Sequence, residues 1–551
     1  MHMAFHRHPL FWQLTSVVLL IIALFSHLGY LPLDLASDEP RRALVALEMM
    51  LSGDYLTPTL NGAPYFNKPP LYNWLIAASY YLFGNYSSFA LRFPMALSLV
   101  LYGITIYFLI KPHLGPKIAF AVAMMLVTTS RILLYDSLLG LIDITFSWLT
   151  YTAFVWVYAF DKKKNYWALF GLTYGLTALG FLMKGLPSLV FQGLTLLSYF
   201  LYTRQFRRLF HPAHFAGAAL FLLIVGSYYA AYFTRNDIPL EQVANVLFSE
   251  SAKRTVVEFG VGQTLLHMLT FPFEMVYHYA PWMLMAVLLF RRLSMSLSMP
   301  SLEAMASVKT PVKTSTGATL HPFVRFSAIT FFVNFLIYWS SPQVYARYLL
   351  MLLPLLYTVF AYFYYERSRP TDWQRRTVEG IFGAVTVVVA LGVWVPFFLP
   401  QTNAIPGLWW KCGILCMALG FVAWQYVRQP VNRLLVLFAF MALVRIGFNT
   451  FVLPGRVEKR MMYKTTSEQA ARLTLGAPLY GYKNTIGDDG AADVNSFHIE
   501  AVRGELLCQT AQKIPGAFYI ADSASLAGER YRTFYQFYLF DRHAVKLVRF
   551  D

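Results

Sequence analysis

Long apolar runs separated by short polar stretches dominate the chain. Runs of roughly 20 apolar residues match the hydrocarbon core of a bilayer. They begin near Leu10, Ala90, Lys117, Ile142, Tyr166, Pro187, Phe215, Val276, Phe323, Tyr348, Thr377, Leu408 and Leu434. The pattern predicts about thirteen transmembrane helices. Residues 71–83 are apolar as well but too few to cross. They read as an interfacial or re-entrant helix, because a crossing there would invert every later loop. From residue 455 onward no further apolar run follows. Residues 478–482, 517–522 and 545–550 alternate as strands do, among helix-like stretches. The predicted organisation is therefore an all-α polytopic membrane domain over residues 1–454, with an outer loop at 31–89, and a small α/β domain over 455–551.

Composition agrees with this pattern. Hydrophobic residues make up 57% and charged residues 13% of 551 residues, against about 25% charged in soluble domains. A disordered chain or a string of soluble domains is excluded. The formal charge of +17 comes from 45 Lys and Arg against 28 Asp and Glu. In a soluble protein this excess would point to nucleic acid; in a membrane protein it reports topology. With the N-terminus in the cytoplasm, about twenty basic residues fall in inward loops, as the positive-inside rule requires. Lys162, Lys163, Lys164, Arg204, Arg207 and Arg208 are among them. An odd number of crossings then puts the C-terminal domain outside. The first apolar run lacks a small-residue cleavage site and reads as a membrane helix rather than a removed signal. Three cysteines, Cys412, Cys416 and Cys508, form neither a disulfide framework nor a zinc set.

The informative charges are those on the outer side. In the first outer loop, Ser37 or Asp38 can cap a helix with Pro40 early in it. Ala43, Leu44, Ala46, Leu47, Met50 and Leu51 then share one face, which predicts a short amphipathic helix in the interface. Asp38, Glu39, Arg41 and Arg42 stand at its start, as a solvated cap or as site residues. Lys68 precedes Pro69 and Pro70, which hold the backbone extended and set the ammonium as a phosphate clamp, or leave it a snorkelling lysine. Asp136 and Asp143 lie between the third and fourth spans. Arg131 is placed to pair with Asp136, whereas Asp143 has no local basic partner. Lys184, Lys253, Arg254 and Arg347, the last flanked by Tyr345 and Tyr348, add outer cations. Carboxylates with cations at an outer membrane edge suit group transfer from a lipid-linked phosphate. Cations stabilise the leaving phosphate, and a carboxylate orients or deprotonates the acceptor. Neither a P-loop nor a G-x-G-x-x-G fingerprint follows a strand. A flippase for lipid-linked sugar is the alternative reading of the same charges, although the repeated halves common in transporters are absent.

The stretch DEPRRALVALEMMLSGDYLTPTLNGAPYFNKPPLYNWLIAASYYLFG and the following Arg92-Phe93-Pro94 resemble the GT-C glycosyltransferases of the aminoarabinose-transferase and protein O-mannosyltransferase superfamily, its aminoarabinose-transferase branch most. Weaker similarity runs through residues 183–187, 279–282 and 347–350. The resemblance implies a bacterial inner-membrane enzyme that transfers a sugar from a polyprenyl-phosphate donor to lipid A, a glycan or a protein. Membrane lipids would be its surroundings, and nucleic acid no partner. It implies Asp38 as the acceptor carboxylate, with Glu39 beside it and Asp143 or Asp136 as the second acid. Lys68, Tyr65, Arg254, Arg347 and Tyr348 would contact the donor phosphate, with Lys184 nearby. No cofactor is implied. Asn67 stands where relatives often carry an acid, so the sequence does not support a divalent cation there.

Overall fold

The computed structural model describes residues 8–35, 37–236, 239, 241, 245, 256–290, 320–402, 405–487, 490, 492–540 and 544–551, with the backbone alone at 256–258 and 401. The membrane part is helical. It comprises α1 (Pro9–Phe25), α2 (Glu39–Ser52), α3 (Leu71–Phe83), α4 (Ser88–Val127), α5 (Ser130–Leu134), α6 (Asp143–Lys162), α7 (Tyr166–Lys184), α8 (Pro187–Tyr202) and α9 (Pro212–Arg235). It continues with α10 (Val256–His278), α11 (Pro322–Trp339), α12 (Leu353–Tyr362), α13 (Trp373–Gly392), α14 (Leu408–Arg428) and α15 (Arg433–Phe451). Among the described residues six helices are long and apolar enough to cross a membrane, by length and composition. Phe108, Leu222, Leu223, Val388 and Met417 expose their side chains outward, as lipid-facing residues do.

Two predicted runs share one continuous assignment. The 40 residues of α4 would reach about 60 Å if straight, twice a hydrocarbon core. Gly115 breaks them at φ 79°, between Pro112 and Pro116, and the limbs fold back so that Val127 faces Gly103. The 13 residues of α3 span about 20 Å, too short to cross. One boundary differs from the sequence expectation. The helix expected near Val276 begins by Val256 and ends at His278. The chain then passes a cis Ala280–Pro281 bond and continues as a 3₁₀ stretch, Trp282–Leu289. Pro281 supplies no N–H with which the helical ladder could continue at that point.

A second difference concerns α2. Pro40 lies in its first turn and Gly53 ends it in the left-handed region, as the sequence predicts. Yet Arg42 through Met49 are all buried, not only the apolar stripe. The cause is the C-terminal domain, which covers the face expected to meet water.

That domain contains α16 (Val457–Leu473), α17 (Asp493–Arg503) and a five-stranded sheet. Its strands are β3 (Leu479–Tyr482), β4 (Gln509–Thr510), β5 (Phe518–Asp522), β6 (Tyr531–Tyr538) and β7 (Ala544–Phe550), in spatial order β4-β3-β5-β7-β6. β3 is parallel to β4 and β5, while β7 runs antiparallel to β5 and β6. Ala470, Leu479, Ile499, Phe518 and Leu547 form the core between the helices and the sheet. The alternating runs predicted at 478–482, 517–522 and 545–550 coincide with β3, β5 and β7. β6 escaped notice because a register shift between Thr533 and Tyr535 spoils its period of two on an exposed edge.

Candidate functional site

Five segments of the chain deliver one cluster of charges. Asp38 occupies the N-cap of α2, but its side chain makes no capping bond. Ser37 Oγ accepts from the Glu39 N–H at 3.3 Å instead. The Asp38 carboxylate is thus available to turn outward, and its side chain is 65% exposed. Asp143 begins α6 and Lys184 ends α7. These helices are antiparallel neighbours, so residues 41 apart meet. Lys184 Nζ donates to Asp143 Oδ1 at 2.5 Å. Arg347 lies in a 3₁₀ turn, Ala346–Leu349, which is held from both sides. Tyr279 donates to the Ala346 carbonyl at 2.5 Å and Tyr102 to that of Leu350 at 3.2 Å.

Arg347 joins the two acids. Its Nε is 3.2 Å from Asp143 Oδ2 and its Nη2 is 3.6 Å from Asp38 Oδ2. The Nε contact lacks hydrogen-bond alignment, so it is an ion pair that leaves the N–H aimed elsewhere. Burial works against the arginine's charge, and Asp143 and Asp38 outweigh it, holding its pKa above the usual value. Aromatic rings wall the cations in. The Lys184 ammonium sits 4.1 Å from the centre of the Tyr348 ring and 5.1 Å from that of Phe146. The Arg347 guanidinium lies 4.4 Å from that of Tyr345 and 5.7 Å from that of Tyr348. Lys68 is half-buried at the head of α3 and close enough for its charge to act on Asp143. Two carboxylates therefore face three cations, Lys68, Lys184 and Arg347, a balance that an anionic ligand would complete.

Other candidates have other tasks. Glu39, expected beside Asp38 as a catalytic acid, is fully buried and turned away. Its oxygens accept from Arg92 Nε at 2.7 Å and Nη2 at 2.9 Å, from the Asp34 N–H at 2.8 Å and from the Gly140 N–H at 2.7 Å. Arg92 also donates to the carbonyls of Leu28, Leu31 and Pro32. Burial opposes the charge on Glu39, but the guanidinium and the backbone donors hold its pKa below the usual range. It braces the loop and leaves no oxygen for a substrate. Asp136 is also buried. Arg131 Nε contacts its oxygens at 3.0 and 3.2 Å, yet burial prevails over the arginine and pushes the carboxyl up to about 6. Of the two acids left open by the sequence, Asp143 is the one that meets Arg347 and Lys184. Tyr65 accepts a hydrogen bond from Arg42 Nη2, and the same guanidinium lies 5.2 Å from the centre of its ring. Arg254 lies outside the described residues. Among those described, no three His, Cys, Asp or Glu side chains converge as metal ligands would.

Sequence reasoning gave no separate role to several charges that the fold buries or pairs: Arg92, Glu48, Arg445 and the Arg460–Asp34 pair. Arg92 carried a usable signal, since it interrupts an apolar run with a permanent charge. Arg445 and the Arg460–Asp34 pair find their partners across hundreds of positions, and Glu48 finds its donors in a hairpin turn 13 and 14 residues on.

The paired helices, the charge cluster and the appended sheet domain make up a mostly helical fold with six apolar candidate spans among the described residues. The backbone is similar over 98% of both chains to the crystal structure of ArnT from Cupriavidus metallidurans bound to undecaprenyl phosphate, with a TM-score of 0.66 at 18% identity. Residues 67–229 match the family of dolichyl-phosphate-mannose-protein mannosyltransferases. A protein of Aquifex aeolicus is 26% identical over 242 residues, covering 44% of this chain and 47% of that one. The undecaprenyl phosphate-alpha-4-amino-4-deoxy-L-arabinose arabinosyl transferase of Shewanella sediminis is 30% identical over 189 residues, 32% of this chain and 34% of the relative. The match thus spans about half the length of the first relative and a third of the second. The chain thus shares the fold of that transferase structure, and residues 67–229 are similar to the mannosyltransferase family.

Proposed function

We propose that this protein is a polyprenyl-phosphate-dependent glycosyltransferase of the bacterial inner membrane, with its N-terminus in the cytoplasm and its C-terminal domain in the periplasm. The observation that carries the reading is the cluster in which Arg347 bridges Asp38 and Asp143 while Lys184 and Lys68 add positive charge. The relatives support it, since one is named as an undecaprenyl-phosphate-linked sugar transferase and a similar fold holds undecaprenyl phosphate.

In this reading the donor's phosphate sits against Lys68 and Arg347, with Tyr65 and Tyr348 beside them. The prenyl tail remains among the helices. An acceptor oxygen attacks the anomeric carbon, the bond from that carbon to the phosphate oxygen breaks, and the electron pair leaves with the phosphate. Cations placed where that charge develops lower the barrier. Asp38, the exposed acid, orients the acceptor and takes its proton when the acceptor is a hydroxyl. A phosphate acceptor, as on lipid A, needs orientation only. Asp143 is a positioning residue that aims Lys184 and Arg347. Lipid A, a surface glycan and a protein are the acceptors the reading allows.

In vesicles supplied with a polyprenyl-phosphate sugar, Asp38→Asn and Lys68→Ala should lose transfer by about a hundredfold or more at normal expression. Full transfer by either variant would overturn the assignment. Mass spectrometry of envelope lipids and glycoproteins from a deletion strain identifies the sugar and acceptor, through the one modification that disappears.

A further inference from the structure

Toward the other end of α2 from Asp38, two glutamates meet where the C-terminal domain covers the helix. Glu48 lies near the end of α2 and Glu500 on α17, and both are fully buried. Asn61 and Gly62 turn the short hairpin of β1 (Thr59–Leu60) and β2 (Ala63–Pro64). Their φ values of 52° and 74° are those of a type I′ turn. The turn's N–H groups point at Glu48, with Asn61 N donating to Oε1 at 2.6 Å and Gly62 N to Oε2 at 3.3 Å. Gly62 also packs on the C-terminal domain so closely that a Cβ there would lie 2.4 Å from Cys508 Sγ. On the other side Glu500 Oε1 accepts from Leu507 N at 2.9 Å, while Oε2 receives no donor among the described residues.

Two carboxylates cannot bond to each other, but a carboxyl and a carboxylate can, and one proton would supply the donor that Glu500 Oε2 lacks. Among the described residues the charged surroundings do not provide an alternative. Asp493 acts on Glu48 with a further negative charge and is ion-paired with Arg41 at 2.9 Å. The Cys508 thiol adjoins both glutamates. Elsewhere on these elements Arg42 is bonded to Tyr65, Glu39 to Arg92 and Arg503 to Glu505, while His498 faces Lys464. We propose that Glu48 and Glu500 share one proton and so form a clasp through which the C-terminal domain positions the loop carrying Asp38, Tyr65 and Lys68. The geometry gives the clasp its reach: α2 begins next to Asp38, and the hairpin that grips Glu48 leads directly to Tyr65 and Lys68. Its catalytic consequence rests on the glycosyltransferase reading, whereas the clasp itself does not.

Burial raises both carboxyls above their usual range, and the Glu48 charge raises Glu500 further. The docked state therefore holds a proton that the separated groups release. Docking is firmest below the ordinary carboxyl value. It weakens up to tenfold per pH unit as pH rises above that value, until the docked pair itself ionises.

Hydrogen exchange on the full-length protein in nanodiscs tests this, from about pH 5 to about pH 9, with rates corrected for intrinsic exchange. In the wild type, protection of residues 59–64 and 493–503 should decline with rising pH, by up to tenfold per unit. Glu500→Gln keeps a donor without titrating and should flatten the profile, and Glu48→Gln should do the same. A flat wild-type profile, or a glutamine variant that retains the wild-type slope, would overturn the clasp. Infrared spectroscopy of the wild type needs no variant. A protonated-carboxyl stretch that titrates together with the loss of protection supports the shared proton, and its absence over that range refutes it. Neither measurement reads sugar transfer, so a failure of the transferase reading would show separately.

Discussion

Asp38 and Glu39 are neighbours in sequence and opposites in structure. Glu39 is sealed in a pair with Arg92, every oxygen accepting a bond and both side chains at 0% exposure. Asp38 is largely exposed, does not cap its helix, and meets Arg347 only at 3.6 Å. The first arrangement fixes the loop from Leu28 to Asp34 against α4 and the turn at Gly140. The second leaves a largely exposed carboxylate beside a group of cations. A fully satisfied buried charge is architecture, whereas a loosely answered one at the edge of a cluster is where a ligand fits.

Variants can break this contrast. The largest effect expected is on folding. Arg92→Met strands a buried carboxylate, which typically costs about 3–5 kcal/mol, so the melting temperature of the purified protein should fall sharply. Asp38→Asn should leave melting nearly unchanged, since an exposed pair contributes under about 1 kcal/mol, while transfer falls about a hundredfold. If both variants melt alike, the contrast fails. Between these extremes, a double-mutant cycle with Asp143→Asn and Lys184→Met should show coupling of about 1–3 kcal/mol in transfer rate. Additive effects would mean that Asp143 does not aim the lysine. The smallest effect concerns Asp136. Its carboxyl is raised from 3.8 to about 6, so the folded state binds more protons than the unfolded one. Stability should therefore fall as pH climbs between those values, by about 1–3 kcal/mol at most. Asp136→Asn should remove that slope and little else, as thermal melts across the range would show.

Local pattern made much of the fold legible. Most apolar runs lie on helices, including the two limbs of α4 and the short α3 but not the run from Val276, because length and periodicity are properties of neighbouring residues. The start of α2 was legible from Pro40, and Lys68 from the prolines behind it. Long-range choices were not. Nothing near Asp143 announces Lys184, which arrives only when α6 and α7 pack antiparallel. Glu39 and Asp38 carry the same chemical signal, and Arg92, 53 residues away, decides which one is buried. The one-faced reading of α2 failed for the same reason, since the cover comes from α17, more than 400 positions later.

The most direct test of the central claim is binding of a polyprenyl phosphate to the purified protein, measured by native mass spectrometry across a concentration series. The wild type should bind it, and Lys68→Ala should weaken binding roughly 10- to 100-fold, the loss of one charge-assisted contact of about 1.5–3 kcal/mol. Arg92→Met, in whatever fraction stays folded, should bind as the wild type does. Equal affinity for the wild type and Lys68→Ala, or no binding by either, would contradict the assignment of this cluster to a lipid-linked phosphate.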